Sequence, residues 1–223
     1  MGWFLKFINS SIGKKFTMAV TGSFLLIFLI VHLIGNITLF FGAGAFNTYV
    51  SALDTIKPLI RVIEVVLLAV FVLHIFNGFR LWIENKKARG ITYKINGSPE
   101  NSTLFSRTMF ITGSIILIFL VSHLATFFWR FNVHDPLGFV THHHYYDVVV
   151  YFFNMWWYSI LYVIAMIFLG LHLNHGFQSA FQTFGWNHKK YFPMIQKIGT
   201  VYAIIMALGF ASMPLYFLLG GGN

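Results

Sequence analysis

Five stretches of this chain, at roughly 17–42, 60–83, 108–129, 148–180 and 194–219, run for about twenty residues or more with few charges. That is the length of helix that crosses a hydrocarbon core about 30 Å thick, where the backbone must satisfy its own hydrogen bonds. The composition agrees: 57% of residues are hydrophobic and 9% charged, against about a quarter charged in soluble domains. The expected fold is an all-α integral membrane protein of five transmembrane helices, built as one membrane domain over 1–223.

Twelve of the fifteen Lys and Arg residues fall in the N-terminal arm (Lys6, Lys14, Lys15), the second connection (Arg80, Lys86, Lys87, Arg89, Lys94, Arg107) and the fourth (Lys189, Lys190, Lys197). Only Lys57, Arg61 and Arg130 fall on the other side. The positive-inside rule then puts the N-terminus in the cytoplasm and makes the chain a multi-pass protein of the cytoplasmic membrane. The net charge of +9 is mostly this topology signal, and because the basic residues flank lipid-length segments it gives a nucleic-acid partner no support. The opening MGWFLKF is not expected to be a cleaved signal, since the apolar run after Lys15 is too long. There is no cysteine, which removes disulfides, iron–sulfur ligation, thiol catalysis and covalent haem attachment within the chain.

The apolar segments repeat. TGSFLLIFLIVHL at 21–33 returns as TGSIILIFLVSHL at 112–124, and HIFNGF at 74–79 corresponds to HLNHGF at 172–177. The segment from 85 to 106, which begins NKKARGITYKINGSPE, is the one sizeable polar connection and divides the chain. The first two helices therefore read as a duplicate of the third and fourth, in halves at about 17–84 and 107–182 that form a four-helix core, with a peripheral fifth helix at about 194–219. Both copies cross in the same direction, so an axis along the membrane normal should relate them and set equivalent residues at equal depth.

Each of the four repeated helices carries one matched histidine: His32, His74, His123 and His172. An ionisable side chain inside a bilayer is costly and marks function by default. Two symmetric pairs, His32 with His123 and His74 with His172, fit two b-type haems, each iron held from both faces. Tetrahedral zinc fits worse, because it wants converging ligands, usually with cysteine or carboxylate among them. Gly78 and Gly176, four residues beyond their histidines, leave room for a flat macrocycle, and Gly35 offers a similar gap. Two haems stacked across a bilayer imply one-electron relay. A haem-free transporter with histidine proton relays is the contrasting possibility, and it sits poorly with the near absence of intramembrane Asp or Glu.

GSFLLIFLIVHLIGN, FVLHIFNGFRLW, SHL and above all GLHLNHGFQSAFQTFGW resemble the cytochrome b558 membrane-anchor subunit of succinate:quinone oxidoreductase (succinate dehydrogenase/fumarate reductase), in its single-anchor, two-haem class. The resemblance covers nearly the whole chain. It implies two haem b groups and cytoplasmic flavoprotein and iron–sulfur subunits that exchange electrons between succinate/fumarate and a membrane quinone, often menaquinone. Dicarboxylate chemistry would lie in those partners. It also implies axial ligation by His32, His123, His74 and His172, with His172 preferred to His175. The dihaem cytochrome of another quinone-linked enzyme, a hydrogenase or formate dehydrogenase, is the near alternative.

Arg61, Arg80 and Arg130 stand at helix ends, either as partners for haem propionates or as snorkelling topology markers. Glu64 either handles quinone protons or pairs with Arg61 three residues earlier. The run His142, His143 and His144 reads as a solvated loop, and His175 as a hydrogen-bonding neighbour of His172. His188, beside Lys189 and Lys190, is a docking surface for the iron–sulfur partner or a solvated face.

Overall fold

A computed structural model describes residues 2–88, 104–133 and 144–222. It is all-helical, with no strand among the described residues. A short α1 (Trp3–Asn9) leads to α2 (Ser11–Ile37), whose start is capped by the Ser10 hydroxyl accepting from the Gly13 amide at 3.0 Å. A tight 3₁₀ turn, Thr38–Phe41, ends at Gly42, where φ is +87°; a residue without a Cβ occupies that region at no steric cost. Then follow α3 (Ala43–Thr55) and α4 (Lys57–Ala88), with Pro58 in the first turn of α4, where its missing amide proton costs nothing.

The third long helix, α5 (Leu104–His123), passes into a π-helical turn at Leu124–Phe128 and a last α-turn at Trp129–Asn132. The widened turn begins directly after His123 and re-aims the helix there. The chain resumes with α6 (Tyr145–Phe153), α7 (Trp156–Thr183) and α8 (Phe192–Leu218). Five helical segments, Ser11–Phe41, Lys57–Ala88, Ser106–Asn132, Trp156–Thr183 and Phe192–Leu218, are long and apolar enough to cross a membrane. The chain is thus a multi-pass membrane protein by length and composition.

The span expected at 148–180 is shorter than that. The chain breaks at Asn154 and Met155, and the Ser159 hydroxyl donates to the Phe153 carbonyl at 2.6 Å, so α6 stands apart from the crossing helix α7. Unbroken apolarity hid the break, because Val148–Phe153 is as apolar as a membrane segment. The helix α3, in the equivalent connection of the first half, packs on α6. The duplication therefore extends to a pair of short helices that cap one end of the bundle.

Around the bundle α4 packs on α2, α2 on α7 and α7 on α5, whereas α4 and α5 barely meet. That seam is closed towards the other, lysine-rich end by Trp82 stacked on Phe110, with ring centres 4.0 Å apart. At this basic end the Lys14 ammonium contacts both Glu84 carboxylate oxygens at 2.7 and 2.6 Å, and the Asn77 amide donates to the Lys14 carbonyl at 2.7 Å. Helix α8 lies along α7 over small residues; a Cβ on Gly170 would stand 3.0 Å from that of Ala207. Such close backbone approach is how helices associate where lipid removes the hydrophobic drive. The densest packing, with Phe127, Val148, Phe153, Tyr158, Tyr162 and Phe217 buried together, sits under the cap. No residue in the most apolar window of α4 is fully buried, because one side of that helix is exposed and the other packs on α2 and lines a cleft.

Candidate haem-binding cleft

The four matched histidines come together as two facing pairs. His32 and His123 have ring centres 5.8 Å apart, and His74 and His172 have theirs 6.4 Å apart. The arrangement follows from the repeat, because α2 and α5 each present their histidine on the face that looks across the bundle. Thr21 on α2 contacts His74, so the two pairs are separated by the eleven residues from Thr21 to His32, about 16 Å of helix. The pairs therefore lie in two layers, one near the cap and one near the basic end.

Both layers open into a single cleft of about 2110 Å³, which runs from Lys15 and Lys86 at the basic end to Asp54 and Tyr145 under the cap. That is about twice the upper end of the roughly 300–1,000 Å³ of ordinary single-ligand pockets. Gly78 and Gly176 line it; a Cβ on Gly176 would meet nothing within 4 Å, and one on Gly78 only the Met18 methyl at 3.6 Å. Gly35 serves differently: a Cβ there would collide with the Tyr49 ring, so this glycine makes room for the capping helix α3.

The imidazole nitrogens have defined partners. Nδ1 of His74 is 3.0 Å from the Thr21 hydroxyl, and Nδ1 of His172 is 3.2 Å from that of Thr112. Gly22 and Gly113, next in sequence, lie beside these imidazole edges; added Cβ atoms would stand in ordinary contact, 3.5 and 3.4 Å from the two Cε1 atoms. In the capped layer Nδ1 of His123 is 3.0 Å from the Tyr162 hydroxyl, which accepts from Tyr158 at 3.1 Å. His32 lies against Phe28 and Phe210, and among the described residues its ring nitrogens have only the Asn36 amide nitrogen, at 3.5 Å. That amide makes its close bond, 2.7 Å, to the His32 carbonyl. The fifth helix is therefore more than peripheral, since Phe210 of α8 packs on a candidate ligand.

These residues fit a bis-imidazole haem. A metal–imidazole bond of about 2 Å, the length seen at zinc, sets two rings facing one metal with centres about 6 Å apart, close to both observed separations. In three of the four rings Nδ1 is engaged with a hydroxyl, and Nε2 is then the nitrogen available to a metal. Among the described residues no three His, Cys, Asp or Glu side chains converge, so no tetrahedral metal site competes with this geometry.

The remaining sequence candidates separate. Arg61 lines the cleft, and its guanidinium binds Glu64 at 2.7 Å. Glu64 lines the cleft as well, so pairing and cleft exposure coexist. Arg80 does not line it and instead bonds Glu84 at 3.1 Å. Arg130 also lies off the cleft, over the Phe152 ring at 5.0 Å. Of the three arginines read as propionate partners or topology markers, Arg61 lines the cleft, as do Lys15, Lys86 and Arg107 at the basic end.

His175 lines the cleft one turn from His172. His188 accepts from the Lys190 amide at 3.2 Å in the exposed turn after α7. His144 pairs with Asp147 at 2.9 Å at the start of α6, and His142 and His143 lie outside the described residues. Thr21, Thr112 and Tyr162 are the site residues that sequence reasoning missed; the repeated Thr-Gly-Ser was the available signal for the first two. Comparison with protein-family models, with curated proteins and with solved structures finds no match.

Proposed function

We propose that this chain is the dihaem b-type cytochrome anchor of a succinate:quinone oxidoreductase, relaying electrons between a cytoplasmic iron–sulfur subunit and a membrane quinone, menaquinone first among candidates. The supporting observation is the stacking of two facing imidazole pairs in one apolar cleft, 5.8 and 6.4 Å between ring centres. The resemblance of the helix segments to the cytochrome b558 anchor supplies the identity of the complex.

In this reading the basic end faces the cytoplasm, where the flavoprotein and iron–sulfur subunits dock, and the cap faces outward. Bound haem supplies a one-electron couple at each layer. The chain's own residues do the rest. His74 and His172 hold the layer nearer the partner subunits, and His32 and His123 the layer nearer the outer surface. The phenyl groups of Phe28, Phe119 and Phe210 pack against the capped-layer imidazoles and exclude water from them. Lys15, Lys86 and Arg107 offer cationic partners for propionates at the basic end and Arg61 at the capped end. Glu64, paired with Arg61 at the capped end of the cleft, is the candidate proton group for quinone. Succinate and fumarate are handled by the partner subunits.

The test is a reduced-minus-oxidised visible spectrum of the purified chain with haem quantified per polypeptide, beside His32→Ala and His74→Ala. Two low-spin b haems are expected, with each substitution removing a different one. A colourless preparation from haem-replete cells with the fold intact overturns the cytochrome. Copurification of a flavoprotein and an iron–sulfur protein oxidising succinate, rather than of a hydrogenase or formate dehydrogenase, identifies the complex.

A further inference from the structure

The repeated Thr-Gly-Ser lies eleven residues before each capped-layer histidine, yet its threonines reach the other layer. The Thr21 hydroxyl donates its single proton to the Thr17 carbonyl at 2.7 Å, and the Thr112 hydroxyl donates to that of Met109 at 3.1 Å. Back-bonding of this kind is common for threonine in apolar helices. Here it has a further result, because each oxygen retains lone pairs facing the opposite helix, where Nδ1 of His74 and of His172 stand 3.0 and 3.2 Å away. With each hydroxyl proton in its carbonyl bond, Nδ1 is the donor to the threonine oxygen. In that arrangement Nδ1 carries the proton and Nε2 keeps its lone pair. Both threonines are buried, with 6% and 2% of their surface exposed, so no water competes for the bond.

We propose that Thr21 and Thr112 are positioning residues that fix His74 and His172 in the Nδ1–H tautomer, the one form of each imidazole that can bind a metal through Nε2, and that raise the basicity of both ligands. The inference rests on the dihaem reading and adds residues that act through the ligands. An imidazole that donates its outer N–H is a stronger electron donor to its metal, so the basic-end layer carries two strengthened ligands. In the capped layer, among the described residues, Tyr162 alone reaches a ring nitrogen with a hydroxyl.

The test uses the purified chain with its haem, in Thr21→Val and Thr112→Val, which replace the hydroxyl by a methyl of similar shape, and in Thr21→Ser and Thr112→Ser, which keep it. Redox potentiometry and the low-spin electron paramagnetic resonance signals are read for both haems. Either valine variant is expected to raise the midpoint potential of one haem and shift its signal, or to lose that haem, while the other haem stays at its wild-type values. The serine variants restore the wild-type values. Two haems bound at wild-type potential and signal in both valine variants overturn the proposal, and so do serine variants perturbed as much as valine ones, since packing would then explain the effect. A chain that binds no haem in wild-type form refutes the dihaem reading instead, and the two failures are thus distinct.

Discussion

Tyr162→Phe isolates what one hydroxyl contributes to the capped layer. The Tyr162 oxygen lies 3.0 Å from Nδ1 of His123 and accepts from Tyr158 at 3.1 Å. Phenylalanine keeps the ring, and with it the packing on Phe119, Phe127 and Phe153, so no cavity forms and the loss is polar alone. A hydrogen bond between membrane-embedded side chains is worth about 0.6 kcal/mol on average and up to about 1.7. Two buried partners left unsatisfied raise the total to about 1–3 kcal/mol. At 1.4 kcal/mol per tenfold, the ligand-competent orientation of His123 becomes about 5- to 150-fold less favoured. The assay is haem per polypeptide and the reduced spectrum resolved into its two components, with Tyr158→Phe in parallel. The component lost in His32→Ala should weaken in Tyr162→Phe and less so in Tyr158→Phe, which removes the bond to Tyr162 and the one Tyr158 shares with Thr126 but leaves the His123 contact in place. The component lost in His74→Ala should be unchanged, because Tyr162 lies ten residues before His172, about 15 Å along the helix. Equal loss of both components, or no loss of either, would refute the assignment of Tyr162 to one layer.

Two further outcomes concern stability. Gly170→Leu overpacks the contact with Ala207 and should cost about 1–3 kcal/mol, measured as a lower unfolding midpoint of the haem-free chain in detergent, while Gly176→Ala, whose new Cβ meets no protein atom within 4 Å, should not lower that midpoint, since alanine favours a helix interior over glycine. Tyr145, outside the crossing helices, is pushed up to about 12, first by burial and then by its bond to Asp54 at 3.0 Å. Its contribution to stability is therefore complete below the ordinary tyrosine value near 10 and is lost as pH rises from about 10 through 12; alkaline unfolding should be less steep in Tyr145→Phe, and an identical profile would count against this bond.

The crossing helices and the four histidines were legible because lipid imposes length and apolarity on the first, and duplication marks the second. A single apolar signal cannot locate a break within itself, which is why Asn154 and Met155 passed unnoticed inside 148–180. The helix α3, reading AGAFNTYVSALDT, is too short and mixed for a membrane signal and looks like a loop. The threonine contacts were hidden for another reason. Thr21 and His74 are 53 residues apart, and Thr112 and His172 are 60 apart; their meeting depends on how deeply α2 and α5 slide against α4 and α7. The repeat states that such a contact exists twice, without saying what it touches. The arginines stayed open between two readings for a similar reason, since position near a helix end does not decide whether a side chain reaches the cleft, as Arg61 does while pairing with Glu64, or bonds Glu84 off the cleft, as Arg80 does.

Where the repeat departs from itself, the two halves of the capped layer become unequal. Glu64 and Tyr162 each stand ten residues before their helix's matched histidine, so the carboxylate occupies on α4 the register that on α7 carries the His123-bonded hydroxyl. Both side chains line the cleft. Glu64→Gln removes one negative charge from that level while keeping the shape. On the dihaem reading, Glu64 shares the level of the capped layer and lies ten residues, about 15 Å of helix, from that of His74; taking about 10 and about 18 Å and an effective dielectric constant of about 20, its charge would act on the two metals with about 1.7 and about 0.9 kcal/mol. As one-electron potentials these are upward shifts of about 70 and 40 mV. Both are upper bounds, because Arg61, the partner that partly neutralises Glu64, is 40% exposed and solvent screens the pair. The ratio survives that discount. Redox titration of Glu64→Gln should raise both potentials, the haem lost in His32→Ala moving about twice as far as the haem lost in His74→Ala. A larger shift in the latter would place Glu64 at the wrong level and break the register argument with it.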